Sequence, residues 1–164
     1  MSGRPIIRRG RPGDGPAARA VFHAAVHDGA AAHYSAAERA AWAPGPDMPA
    51  DWETRLLAGT CLIAQDRLGR VTGFMTLADD GFLDYAYVLP RVMGKGVAGA
   101  LYDALEQRAR RAGIPTLSTE ASHLAQRFLA RRGWRVIARQ SVIRNGVALT
   151  NFRMEKRLDQ APPR

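Results

Sequence analysis

The chain has 164 residues, of which 46% are hydrophobic and 24% charged, a composition that fits one globular domain and excludes a disordered or fibrous chain. Lys and Arg exceed Asp and Glu by nine charges, which favours anionic partners such as phosphates or nucleic acid. The single cysteine, Cys61, excludes an internal disulfide framework and a cysteine-rich zinc site. With no signal-peptide pattern and no stretch near the ~20 apolar residues of a membrane span, we expect a cytoplasmic protein that does not enter a membrane.

The first third of the chain predicts a short strand at Ile6 followed by three helices. The helices are expected over about 17–28, from Ser35 to Pro44, and from Pro49 to Gly59. Asp14 is placed to cap the first helix, because its carboxylate can accept a hydrogen bond from a free N–H group at the helix start. The second helix begins with Ser35-Ala-Ala-Glu38, a capping box in which each side chain satisfies the other residue's backbone N–H.

The remainder of the chain alternates strands and helices. Strands are expected at 60–65, 71–78 and 82–88, then a long helix that ends near Gly113, a strand at 116–120, a helix from Ser122 to Arg132, and a final hairpin over 134–143 and 147–155. Asp80-Gly81 and Asn145-Gly146 predict hairpin turns, the first of type I′. The single crossover makes strands 82–88 and 116–120 the parallel pair of an otherwise antiparallel sheet.

The predicted fold is therefore α+β, with a mixed, mostly antiparallel central sheet and helices on both faces. The order of elements is β-ααα-βββ-α-β-α-ββ. We expect one domain over residues 1–158, and a polar, proline-rich tail over 159–164 that frays.

A glycine-rich segment, Gly94-Lys-Gly-Val-Ala-Gly99, lies between a strand and the long helix, where exposed N–H groups and the helix dipole favour an anion. The segment matches the G-x-G-x-x-G pattern of dinucleotide-binding folds, and Glu120 follows Gly99 by 21 residues, as a ribose-binding acid would. However, five residues separate the strand from Gly94, where that pattern needs a tight turn. Too little chain remains for a second nucleotide-binding half.

Several motifs in order, from Ile6 to Lys156, resemble the GNAT superfamily of acyl-CoA-dependent N-acetyltransferases. The family signature Q/R-x-x-G-x-G/A corresponds to Met93-Gly-Lys-Gly96-Val-Ala98 with its preceding residues, and Ala125-Gln-Arg-Phe128 opens a segment similar to the family's A-x-x-F-Y-x-x-x-G-F element. Segments 34–44 and 146–154 resemble a bacterial subgroup of this superfamily.

The resemblance implies a site for acetyl-CoA. Backbone N–H groups of 93–98 would hold the pyrophosphate, and the pantetheine arm would lie along the strand that ends at Val88. The implied cofactor-binding residues are Val88, Met93, Gly94, Lys95, Gly96, Val97, Ala98, Ser122, Ala125 and Phe128. The chain departs from the family at two positions. Met93 occupies the Q/R position, and Leu129 occupies the position of a tyrosine that many members use to reprotonate the leaving thiolate.

Three residues are candidates for proton transfer. Asp84 lies inside a strand, on the face of Ala86 and Val88 if side chains alternate strictly, and is the candidate base; an arginine salt bridge is the alternative. Tyr87, or Tyr85 on the same face, is a candidate acid, although aromatic strand residues are more often core. Glu120 ends the parallel partner strand and faces the same cleft, or else pairs with a helix N-terminus.

The helices before the strand meander carry aromatic residues that would line the acceptor site. Tyr34 and Trp42, together with Tyr85, are the candidate acceptor-binding residues, and Trp52 extends this wall; core packing is the alternative. The histidines of this region lack a second set of ligands at metal spacing, so no metal is expected.

The function predicted on this basis is acetyl transfer from acetyl-CoA to a primary amine of a small molecule or peptide by direct attack. One alternative is a basic nucleic-acid-binding module, which the net charge favours but which lacks a known motif or clustered arginines. The other is a CoA-binding scaffold of the same fold without catalysis, which Met93 and Leu129 favour. A second copy of the chain is a further candidate partner.

Overall fold

The computed structural model describes residues 3–45 and 47–159. The strands are β1 (Ile6–Arg9), β2 (Thr60–Gln65), β3 (Val71–Leu77), β4 (Phe82–Val88), β5 (Thr116–Ala121), β6 (Arg135–Arg144) and β7 (Val147–Arg157). The α-helices are α1 (Gly15–Ala24), α2 (Ala36–Trp42), α3 (Trp52–Leu56), α4 (Val97–Arg111) and α5 (His123–Ala130). The predicted order is confirmed. Residues 160–164 of the tail predicted to fray lie outside the described residues.

The strands form one seven-stranded sheet in the order β1-β2-β3-β4-β5-β7-β6. Every neighbouring pair is antiparallel except β4 and β5, which are parallel, as the crossover through α4 predicts. The β6–β7 turn places Asn145 at φ 47° and Gly146 at φ 78°, which is the type I′ conformation that fits the twist of a hairpin. The α+β fold class is therefore confirmed.

Helices cover both faces of the sheet. On one face, α4 and α5 contribute Leu101, Leu105 and Leu129 to a core shared with β2–β5 and β7. On the other face, α1 and α3 contribute Phe22 and Trp52 to a second core against β2 and β3. The two faces thus have separate apolar cores.

The start of α1 is capped differently from the sequence prediction. The Asp14 carboxylate makes no cap hydrogen bond and instead accepts two bonds from the Arg8 guanidinium at 2.7 and 2.8 Å. The N–H groups of Gly13 and Gly15 donate to Oε1 of Glu53, on α3, at 2.9 and 2.8 Å. The prediction for Asp14 was wrong because an arginine on the neighbouring strand is the stronger partner for its carboxylate.

Of the other local predictions, the capping box is confirmed, whereas the end of the first helix and the type of the β3–β4 turn differ from the prediction. The capping box of Ser35 and Glu38 is present. The α-helical part of the first helix ends at Ala24, earlier than predicted. The chain then continues from Ala25 to Gly29 as a π-helical turn. The β3–β4 turn is not type I′, because only Gly81 has a positive φ, 92°. The Asp80 carboxylate accepts the Phe82 N–H at 3.1 Å instead, which stabilises a turn of another type.

No helix in residues 3–45 and 47–159 combines the length and apolarity needed to cross a membrane. Within the same ranges, no group of three or more His, Cys, Asp or Glu side chains is arranged to hold a metal ion. The histidines near α1 contact other rings instead: His23 lies 4.2 Å from His27, and His33 stacks 5.3 Å from His123.

Candidate active site

A cleft opens where the two parallel strands separate. β4 and β5 pair only at Phe82 with Ser118 and at Leu83 with Thr119. Beyond these pairs the strands diverge around a cavity of about 340 Å³. Side chains of β4, β5, β7 and the helices α1–α3 and α5 line it. The cavity has the size of a small-molecule site.

A β-bulge in β4 lies at this opening. Asp84 and Tyr85 together oppose the single residue Thr76 of β3, whose hydroxyl accepts the Tyr85 N–H at 3.1 Å. The extra residue breaks strict alternation, so Leu83 and Ala86 pack against the same core. The prediction that Asp84 shares the face of Ala86 assumed strict alternation and is wrong for this reason. Asp84 and Ala86 nevertheless both line the cleft.

The cleft contains two carboxylates, since Asp84 on β4 and Glu120 on β5 both line it. Although Asp84 remains accessible to solvent, desolvation between the cleft walls raises the pKa of its carboxyl; the Arg55 guanidinium opposes this shift and the Glu120 charge adds to it. A carboxylate with a raised pKa binds a proton more readily than an ordinary one, which suits a base.

The two β4 tyrosines combine packing with exposure to the cleft. Tyr85 and Tyr87 pack against the core that contains Phe22 and also line the cleft, so core packing does not remove them from the cleft surface. Phe22 and Tyr87 meet edge to face at 4.9 Å, and the Tyr85 hydroxyl accepts a hydrogen bond from Arg55 at 3.2 Å. Burial raises the pKa of both tyrosines, so their hydroxyls keep their protons at neutral pH.

Aromatic side chains from the first helices continue this wall. Tyr34, Trp42 and Trp52 all line the cleft, and the rings of Tyr34 and Trp42 meet edge to face at 5.3 Å. The Tyr34 hydroxyl donates to the Thr150 carbonyl at 2.7 Å and accepts the His123 N–H at 3.2 Å. Tyr34 therefore also ties the segment before α2 to β7 and α5.

Sequence reasoning missed the polar residues that complete the cleft. Arg19 and Arg55, on α1 and α3, line it, as do Arg144 and Asn151 on β6 and β7. No local pattern distinguishes these arginines from the others in so basic a chain. Leu129 also lines the cleft and is 2% exposed, so the position that holds a tyrosine in many family members presents an apolar side chain here.

The glycine loop before α4 is open to a ligand. Gly94 and Gly96 have φ values of 76° and 85°, which glycine adopts at little cost, and a Cβ at either position would meet nothing within 4 Å. Among the described residues neither N–H donates a backbone hydrogen bond. The N–H groups of Val97 and Ala98, in the first turn of α4, have no partner within the helix. The loop is thus a cradle for an anion.

Basic side chains surround the loop. Lys95 within it is exposed, and a second cavity of about 250 Å³ beside it is lined by Arg67, Arg70 and Arg91. Asp66 pairs with Arg70 at 2.8 Å and with Arg91 at 3.9 Å but leaves an excess of positive charge. This excess favours phosphate groups near the loop.

The remaining residues predicted to bind the cofactor lie partly in the cleft, partly in the core and partly at the surface. Ser122 caps α5, since its hydroxyl accepts the Ala125 N–H at 3.2 Å, and both residues line the cleft. Val88 ends β4, partly packed in the core, and Met93 is 42% exposed before the loop. Phe128 lies outside the cleft lining and packs edge-on against Tyr102 at 5.9 Å.

Comparisons with known proteins agree with this architecture. A family model described as an acetyltransferase (GNAT) domain matches residues 30–156. None of the curated proteins compared with the chain matches it. A GCN5-related N-acetyltransferase structure from Rhodopseudomonas palustris is 34% identical, with a TM-score of 0.89 over 96% of this chain and 98% of that one.

Two more distant structures share the fold. The YncA protein of Salmonella typhimurium, solved with its cofactor acetyl-CoA, is 21% identical, with a TM-score of 0.68 over 99% of this chain and 98% of that one. The PaiA N-acetyltransferase of Thermoplasma acidophilum, in complex with coenzyme A, is 17% identical, with a TM-score of 0.70 over 94% and 99% of the two chains. Since the family match spans most of the sequence, and a relative is similar over nearly its full length, the chain belongs to the GNAT family of acetyltransferases.

Proposed function

We propose that this chain, with residues 1–158 as one catalytic domain in the cytoplasm, transfers an acetyl group from acetyl-CoA to a primary amine by direct attack in a ternary complex. The observation that carries the proposal is the cleft between β4 and β5, which contains carboxylates and aromatic rings and is lined by β4 from Phe82 to Tyr87. Bound acetyl-CoA supplies the acetyl group as a thioester. Such an arrangement brings both reactants together, which can lower the barrier by about 7–11 kcal/mol.

The glycine loop fits the pyrophosphate of the coenzyme. Open space at the Cβ positions of Gly94 and Gly96 lets phosphate oxygens approach the backbone, and the free N–H groups of the loop and of Val97 and Ala98 donate to them. Because the Met93 side chain offers neither a charge nor a hydrogen-bond donor, the backbone N–H groups, Lys95 and the neighbouring arginines would make the contacts to the phosphates.

The free edge of β4 beyond Leu83 fits the acyl group. Its backbone groups on the β5 side have no strand partner once β5 has diverged, so an N–H group there can donate to the carbonyl oxygen of the thioester. Such donors stabilise negative charge that develops on that oxygen. The bulge at Asp84 and Tyr85 lies on this edge, so the Asp84 carboxylate and the free backbone groups of β4 are both at the cleft between β4 and β5.

In the proposed reaction the amine nitrogen forms a bond to the acyl carbon, the C–S bond breaks, and coenzyme A leaves as a thiolate. The amine loses one proton, which Asp84 accepts directly or through water, with Glu120 as the second candidate. Desolvation raises the pKa of Asp84, which makes it a stronger base than an ordinary carboxylate. Leu129 cannot protonate the thiolate, so the candidate acid is Tyr87, or Tyr85 beside it in the cleft lining, and the raised pKa of each hydroxyl makes it a weak acid.

Direct attack is favoured over an acetylated cysteine intermediate. Cys61 is the chain's single cysteine, is 2% exposed in the core, and does not line the cleft. Burial raises its pKa to about 11, so little of it is thiolate at neutral pH, and the thiolate is the nucleophilic form.

The test is thiol release from acetyl-CoA in the presence of a panel of small amines, peptides and aminoglycosides, with the acetylated product identified by mass spectrometry. We expect intersecting initial-rate patterns, because parallel patterns are the mark of a ping-pong reaction. Acetyl-CoA binding without turnover of any amine would contradict catalysis and favour the scaffold alternative. Tight DNA binding at moderate salt without affinity for acetyl-CoA would favour the nucleic-acid alternative.

A further inference from the structure

One wall of the cleft carries a guanidinium group that nothing in the described part of the chain neutralises. Arg19 lies over the rings of Phe22 and Trp52, at 4.9 and 5.0 Å from their centroids, and lines the cleft. Its Nε atom is buried without a hydrogen-bond partner, and no carboxylate within 3–45 and 47–159 forms an ion pair with it. Buried charged donors are ordinarily paired, so this one points to an acceptor on a ligand.

The lining of the cleft carries charges of both signs on different elements. Arg19 and Arg55 come from the helices α1 and α3, and the hydrogen bond of Arg55 into the cleft goes to a neutral group, the Tyr85 hydroxyl, at 3.2 Å. Asp84 and Glu120 come from the strand opening. A ligand with an amine at one end and an anionic group at the other would match both sides of this cleft.

We propose that the acceptor is a small amino acid-like molecule, whose carboxylate binds Arg19 while its amine faces Asp84 and Glu120. This inference rests on the proposed function and narrows its substrate class. A guanidinium group binds a carboxylate through two parallel hydrogen bonds, and the rings of Phe22 and Trp52 hold the guanidinium in position before the ligand arrives. The cavity of about 340 Å³ suits a free amino acid better than a long peptide, whose carboxylate lies far from its amine.

The test compares L-amino acids with their amides, for example L-methionine with L-methioninamide and L-phenylalanine with L-phenylalaninamide. Each pair keeps the side chain and the position of the amine and replaces the carboxylate with a neutral amide, which also makes the amine less basic, so the two members are compared at a pH where both amines are largely deprotonated. In Arg19→Gln we expect kcat/KM for the amino acids to fall about 10- to 100-fold, as loss of a charge-assisted hydrogen bond implies, mainly through KM. We expect the amides to change much less, acetyl-CoA affinity to persist, and Arg19→Lys to recover part of the loss. Arg135→Gln, at an exposed arginine outside the cleft, is the matched control.

Equal losses for amino acids and amides in Arg19→Gln, or a wild-type preference for the amides, would overturn the inference while leaving the proposed function intact. Failure of the proposed function has a different signature, namely no thiol release with either member of any pair. In that case equilibrium binding of the same pairs decides the inference. Tighter binding of the amino acid than of its amide, lost in Arg19→Gln, supports it, and equal binding overturns it.

Discussion

Replacing Gly96 by aspartate places a carboxylate at the N-cap of α4, where the coenzyme's pyrophosphate is proposed to bind. Gly96 has a φ of 85°, and a new Cβ would meet nothing within 4 Å. The backbone strain of a non-glycine residue in this conformation is about 1–2 kcal/mol, and no steric cost is added. The fold should therefore persist with a modest loss of stability.

The loss of binding should be larger than the loss of stability. Two like unit charges about 5 Å apart repel by roughly 3 kcal/mol at an effective dielectric constant of 20, which weakens binding roughly 100-fold or more at ~1.4 kcal/mol per tenfold. Gly96→Asn has the same shape without the charge, so it should lose much less. The difference between Gly96→Asp and Gly96→Asn isolates the electrostatic contribution at this position.

Isothermal titration calorimetry with acetyl-CoA, together with thermal melting of the free and saturated protein, measures both effects. The control for strain is Gly113→Asp, at the other end of α4, where φ is 72° and a Cβ again meets nothing within 4 Å. Gly113→Asp should melt at a lower temperature than the wild type but bind acetyl-CoA with unchanged affinity. An unchanged acetyl-CoA affinity in Gly96→Asp would refute the assignment of the loop to the pyrophosphate.

Three further predictions concern chemistry, stability and reactivity. Asp84→Asn should lower kcat by about 10²–10⁴-fold, more than Tyr87→Phe does. In the wild type, kcat/KM should rise with pH at a midpoint above the usual carboxyl pKa, because desolvation raises the pKa of Asp84, and Asp84→Asn should remove this rise. Full turnover in both variants would exclude both side chains from proton transfer. Asp14→Ala should cost about 3 kcal/mol in urea unfolding at neutral pH. The hydrogen-bonded Arg8 guanidinium lowers the pKa of Asp14. The pair therefore stabilises the fold at pH values above the unfolded carboxyl pKa of about 3.9, and this stabilisation is lost as the pH falls through the lower pKa of the folded state. A loss of stability in Asp14→Ala that stays constant down to pH ~2 would contradict this pairing. Cys61 should resist iodoacetamide at pH 8 in the folded protein and react after unfolding, because burial raises its pKa to about 11; equal labelling rates in the two states would contradict its burial.

Features set by neighbours in the chain were readable from the sequence. The capping box of Ser35 and Glu38 and the type I′ turn at Asn145 depend on groups within a few residues of one another. Strand and helix periodicity in the same way predicted the order of elements and the parallel pair. The glycine loop was also predictable, because Gly94 and Gly96 permit a backbone conformation that other residues rarely adopt.

The tertiary structure decided what depends on partners far along the chain. Glu53, 38 positions after Gly15, accepts the N–H at the start of α1 in place of Asp14, since a cap goes to whichever acceptor the packing brings nearest. The bulge beside Asp84 arises from the register between β3 and β4, which no single-strand pattern contains. Arg19 resembles every other arginine in the sequence, and only the packing of α1 and α3 against the sheet places it in the cleft without an ion-pair partner among residues 3–45 and 47–159. The sequence by itself thus determined the fold and the glycine loop, whose physics is local, whereas long-range packing decided which charged side chains line the cleft.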